Sequence, residues 1–186
     1  MGRHVFLLLL AMLALAGPAR ATVMLEASID ELARESDAVV RGKVVSTEGR
    51  KSADGKRIFT RVTVEVAEAW KGAPGKTVVV QVPGGVHGEV GQVVHGAPRF
   101  ADGEEVVVFL RRLPEGPPGE PTTFHVSGLA QGKLRVERDA VRGPVAVPDL
   151  RGLELKRRPE EPAAPAASAV PIPVAELRAR VEAATR

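Results

Sequence analysis

The chain has 186 residues, 26 basic and 23 acidic side chains, and no cysteine. That length suffices for one domain with a genuine core, and the missing cysteines exclude disulfides, thiolate metal sites and cysteine nucleophiles. No basic stripe carries interleaved aromatics, so nucleic acid is not an expected partner.

The N-terminus has the order of a secretory signal. Arg3 and His4 precede an apolar run from Val5 to Ala16. Gly17 and Pro18 break it, and Ala19-Arg20-Ala21 has the A-x-A form of a cleavage site. The run is about a dozen residues, whereas a membrane span needs about 20. The expectation is a signal peptide over 1–21, a mature chain from Thr22, a secreted or periplasmic location, and no stable membrane span after cleavage. Cleavage would remove Arg3 and Arg20 and no acid, which takes 26 bases against 23 acids to 24 against 23. The basic balance of the whole chain therefore says little about partners.

Ser28 and Glu31 have the spacing of a capping box, and Ile29, Leu32 and Ala33 share one face of a short helix ending near Ser36 or Asp37. Ala38 to Ser46 reads as a strand. Asp54-Gly55 marks a turn. From Ile58 to Trp70 apolar and polar residues alternate with period two, as in a half-buried strand. Its length predicts a bulge or bend near Glu68. Thr77 to Val82 forms another strand, with Val78, Val80 and Val82 on one face.

Pro83 to Phe100 holds five glycines and two prolines and reads as a long surface loop with room for a short strand. Glu105 to Leu110 is continuously apolar after its first residue, as expected of a central strand buried on both faces. Thr122 to Val126 and Gly132 to Glu137 read as a closing antiparallel pair, and Val145 to Leu155 as irregular or edge structure. The expected domain thus spans 22–155. A Pro/Ala-rich linker over 156–173 follows, then a helix over 174–186 with Val174, Leu177 and Val181 as its apolar stripe. Val64 and Val108 are expected core residues, and Trp70 is expected in the core, capping one end of a barrel.

Catalytic chemistry finds few candidates. There is no G-x-S-x-G elbow, the glycine-rich stretch lacks a Gly-Lys-Ser/Thr ending, and Ser127 before Gly128 reads as a turn residue. Glu104 and Glu105 are adjacent in a strand and so point to opposite faces, unlike a converging acid pair. His125 should face solvent opposite Phe124 and Val126. His87, Glu89, His95 and Arg99 lie in the long loop and are the candidate binding residues. The spacing of the two histidines matches no compact metal motif, and no metal or cofactor is expected.

Ser36-Asp-Ala-Val-Val-Arg-Gly-Lys-Val-Val45 and Val62-Thr-Val-Glu-Val-Ala-Glu-Ala-Trp-Lys-Gly72 together resemble the netrin-like module of tissue inhibitors of metalloproteinases and their bacterial relatives. The resemblance runs from Ser36 to Val82. It implies a mainly β fold, an OB-like five- to six-stranded antiparallel barrel with a short N-terminal helix and a C-terminal amphipathic helix. Gly-Ala-Pro-Arg-Phe100 and Gly128-Leu-Ala-Gln-Gly-Lys133 resemble a family of uncharacterised exported bacterial proteins. Animal inhibitors of the netrin-like class begin with a cysteine that chelates the protease zinc. Position 22 here is threonine, so none of their inhibitory residues carries over. The expected function is an exported, non-catalytic module that binds a protein partner, with an extracellular protease the partner class that the resemblance implies. The 84–100 loop, helped by the mature N-terminus, is the expected contact surface. Two alternatives stand beside it: an envelope-associated protein acting through its C-terminal tail, and a metal-dependent enzyme using His87, Glu89 and His95.

Overall fold

Alternating valines dominate the first strands, and the architecture follows from where each alternate set is buried. A computed structural model describes residues 22–114, 122–150, 153–156 and 171–186. The expected signal peptide and residues 157–170 of the expected linker lie outside the described residues. Strands β1 (Thr22–Leu25) and β2 (Ala38–Lys51) flank helix α1 (Ile29–Glu35). The capping box forms: Ser28 Oγ accepts from Glu31 N, and a Glu31 carboxylate oxygen accepts from Ser28 N.

β2 pairs with β3 (Ile58–Lys71) in a long hairpin, and β3 pairs with β4 (Thr77–Pro83). The β2–β3 ladder skips Ala67 and Trp70 on β3, on either side of Glu68 where a bulge or bend was expected. β7 (Glu105–Arg112) returns to the other edge of β2. β8 (Thr123–Val126) then slots between β7 and β4 and closes a five-stranded barrel in the order β2-β3-β4-β8-β7. The barrel is the expected OB-like one, with one seam that departs from antiparallel. A closed ring of five strands cannot alternate direction all the way round, so one pair must run parallel, and here it is β4–β8.

β8 does not pair with the next strand, contrary to the expected closing hairpin. A one-turn helix over Leu129–Gly132 separates them, and β9 (Lys133–Asp139) joins the first half of the β7 edge whose second half holds β8. β9 continues outward to β10 (Gly143–Pro148), which pairs with the short β12 (Ile172–Pro173) leading into helix α2 (Val174–Ala184). Of the residues expected to be irregular or edge structure, 145–148 thus belong to a regular strand near the edge of the sheet. β11 (Leu153–Lys156) pairs in parallel with β1.

Two cores result, and β7 serves both. Val106, Val108 and Leu110 point into the barrel with Val40, Val44, Val62, Val64 and Val80. Val107 and Phe109 point the other way, against α1, α2, Val39 and Leu134. This explains the unbroken apolar run, because both faces of the strand are buried. Val64 and Val108 are fully buried. Trp70 is buried as well, but on the helix side and not at a barrel end, because the bulge turns it out of the barrel alternation. α2 docks through Val174, Leu177 and Val181, the stripe expected from its spacing. No helix among the described residues is long and apolar enough to cross a membrane.

Candidate binding surface at one end of the barrel

The β4–β7 connection starts and finishes at the same end of the barrel, because β4 and β7 run in opposite directions on either side of β8. Ala97 and Phe100 of this connection pack onto the barrel core. The expected loop therefore roofs that end. Within it, β5 (Gly85–His87) and β6 (Val90–Gln92) form a small hairpin, two short strands where the sequence left room for one. The hairpin lies across the far end of the β2–β3 hairpin. Gly84 N donates to Ile58 O, Ile58 N donates to Gln92 Oε1, and Thr60 Oγ1 donates to Gly84 O, all at 2.7–2.9 Å. The crossing is close: a Cβ on Gly49 would sit 1.7 Å from Val86 O, so no side chain fits there.

The candidate residues spread along this roof. His87 is exposed on β5, with Nδ1 2.9 Å from Gly49 O. Glu89 is exposed at the hairpin tip. His95 and Arg99 are exposed further on and line one shared recess with Ala130 and Leu153. Among the described residues, no three His, Cys, Asp or Glu side chains come together to hold a metal.

The roof meets the N-terminal strand at Gly96. Its φ is +82°, and a Cβ there would lie 3.1 Å from Leu153 Cδ2 and 3.3 Å from Met24 Sδ. Ala130 N also donates to Gly96 O at 3.0 Å. The β1–β11 ribbon is fixed to the same corner by Gln131, whose buried side chain accepts from Ala27 N at 2.8 Å and donates to Leu25 O at 3.0 Å. Met24 turns inward, while Val23 and Leu25 remain 51% and 57% exposed. Val86, Val90 and Val93 are exposed on the adjoining roof.

Beneath the roof, Lys133 and Glu104 form an ion pair with side chains 3% and 11% exposed. Lys133 Nζ also lies 5.3 Å from the centre of the Phe100 ring, a cation–π contact. Glu104 faces Lys133 and Glu105 faces Arg41, so the two acids diverge as expected. The sequence reading missed both Lys133 and Gln131. Their signal was present: two long polar side chains beside Leu134, in a stretch with otherwise small or apolar residues.

The remaining candidates sit away from this end. His125 is half-buried on the outside of the barrel, opposite the buried Phe124 and Val126. Its burial, reinforced by Arg111, holds its pKa below the ordinary histidine value against the pull of Asp37. Ser127 is buried, with its hydroxyl 2.8 Å from Ser36 Oγ. Ser36 Oγ gives its proton to Leu32 O, so Ser127 donates to Ser36. That bond ties α1 to the end of β8. Matched against family models, curated proteins and solved structures, the chain returns no match.

Proposed function

We propose that the protein is an exported, non-catalytic module that binds a protein partner with the roofed end of its barrel. The observation that carries this is the contact of Gly96 with Met24 and Leu153. It sets the N-terminal strand against the 84–100 roof, from which it is distant in sequence. Five branched apolar side chains stand exposed on these two elements: Val23, Leu25, Val86, Val90 and Val93. Exposed apolar side chains on adjoining elements favour an interaction site, and loops on a rigid barrel are where binding usually resides. An extracellular protease is the partner class suggested by the netrin-like residues from Ser36 to Val82.

The test is binding of the exported protein to secreted metalloproteases, with inhibition as the readout. Leu25→Asp and Val93→Asp should each weaken it, while Val141→Asp, on the exposed turn between β9 and β10, should not. Equal binding by all three variants and the parent protein would remove the proposal. The tail-mediated alternative loses support from α2, whose apolar stripe is buried against its own domain. The metal-dependent alternative has no ligand cluster behind it among the described residues.

A further inference from the structure

We propose that the groove under the β5–β6 hairpin is a binding site for a small aliphatic carboxylic acid. This goes beyond the protein-partner reading and does not depend on it. The groove has a volume of about 370 Å³, within the range of small-molecule sites, and it occupies a barrel mouth, where such sites are common. Its floor comes from Val62 and Val82 of the barrel interior, and its walls from Pro83, Val94, Ala97 and Phe100.

The polar groups at the groove select the head group. Thr60 Oγ1 already donates to Gly84 O, and Gln92 Oε1 already accepts from Ile58 N. The side-chain donors left without a partner among the described residues are Gln92 Nε2 and the guanidinium of Arg99. No acidic residue lines the groove. The nearby Asp149 lines the adjoining recess and is already engaged. A cation would therefore meet the Arg99 guanidinium and no carboxylate to balance its charge. A sugar or base would find one aromatic ring, that of Phe100, where stacking sites usually offer more. An aliphatic chain over the valines, with its carboxylate at Arg99 and Gln92, satisfies both parts of the site.

Decanoate, decanol and decyltrimethylammonium, each titrated below self-association into the purified protein, separate chain from head group. Calorimetry should show decanoate binding at least fivefold tighter than either analogue. Octanoate should bind roughly fifteenfold more weakly than decanoate, at about fourfold per buried methylene. Methyl resonances of Val62, Val82 and Val94 should shift. Arg99→Gln should bring decanoate to the level of decanol, and Val94→Trp should fill the groove and abolish both, with circular dichroism unchanged in each variant. Leu25→Asp, outside the groove, should leave decanoate binding intact whatever it does to a protein partner. Absence of saturable decanoate binding, equal binding of all three head groups, or resonance shifts confined to α2 would each overturn the proposal.

Discussion

The ion pair of Lys133 with Glu104 is buried deeply enough for its energetics to be tested cleanly. Side chains 3% and 11% exposed retain little water. Each is further satisfied locally: Glu104 Oε2 accepts from Ala101 N at 3.1 Å, and Lys133 Nζ faces Phe100. Glu104→Gln keeps the shape and the bond to Ala101 but strands a buried ammonium. Lys133→Met strands a buried carboxylate. Breaking a pair of this kind costs about 3–5 kcal/mol. For a domain of this size that corresponds to a melting point lower by about 6–20 °C. The double change Lys133→Met/Glu104→Leu removes both charges and fills the space with apolar atoms. It should unfold within about 1 kcal/mol of the parent protein, or later. Urea unfolding of the parent, Lys133→Met, Glu104→Leu and the double variant closes the cycle and gives the coupling directly. The reasoning fails if the double variant loses the sum of the two single losses. It also fails if Glu104→Gln loses less than about 1 kcal/mol, since that is the behaviour of a hydrated surface pair.

Three further outcomes follow from the packing. The Glu68 carboxyl accepts from Trp70 Nε1 at 3.0 Å and from Arg41 and Arg178, and these bonds, that of Trp70 foremost, hold its pKa below the ordinary range. A depressed folded-state pKa stabilises above the unfolded value of about 4.3 and ceases to do so as pH falls through the folded one. The melting-point gap between the parent and Glu68→Gln should therefore be widest near neutrality and shrink on acidification below about pH 4.3; a gap independent of pH would contradict this. Leu177→Ala should cost about 2–5 kcal/mol and shift the emission of Trp70, which packs in the same cluster, to longer wavelength; unchanged emission would mean that α2 does not cover the indole. Gly49→Val should push the β5–β6 hairpin off the barrel, because the added Cβ would meet backbone and not a yielding side chain. Amide spectra should show the change at 84–92 with the barrel ladder retained, and unperturbed hairpin resonances would count against the close approach.

The parts of the fold legible in the sequence are those fixed by local periodicity and short-range chemistry. The valines of β3 and β4, the capping box at Ser28 and the α2 stripe each announce their burial through spacing alone. The unbroken run of β7 also reads correctly, because a strand between two cores has no polar face to show. What escaped depends on partners distant in sequence. Thr123–Val126 and Lys133–Asp139 look like a hairpin because they are neighbours in sequence with a turn-like spacer. Five-strand closure separates them: the first must bridge β7 and β4, and the second can then take only the vacant half of the β7 edge. The candidate site divides in the same way. Glycines and prolines mark 83–100 as a loop, since they suit tight turns and interrupt ladders. Nothing periodic shows that Gly96 rests on Met24, or that Gln131 supplies both hydrogen bonds that hold Leu25 and Ala27. Such contacts are set by the closure of the barrel, which brings the loop, the 129–132 turn and the N-terminal strand to one corner. A substitution at Gln131 should therefore loosen the N-terminal strand while the barrel ladders, which share none of its hydrogen bonds, stay paired.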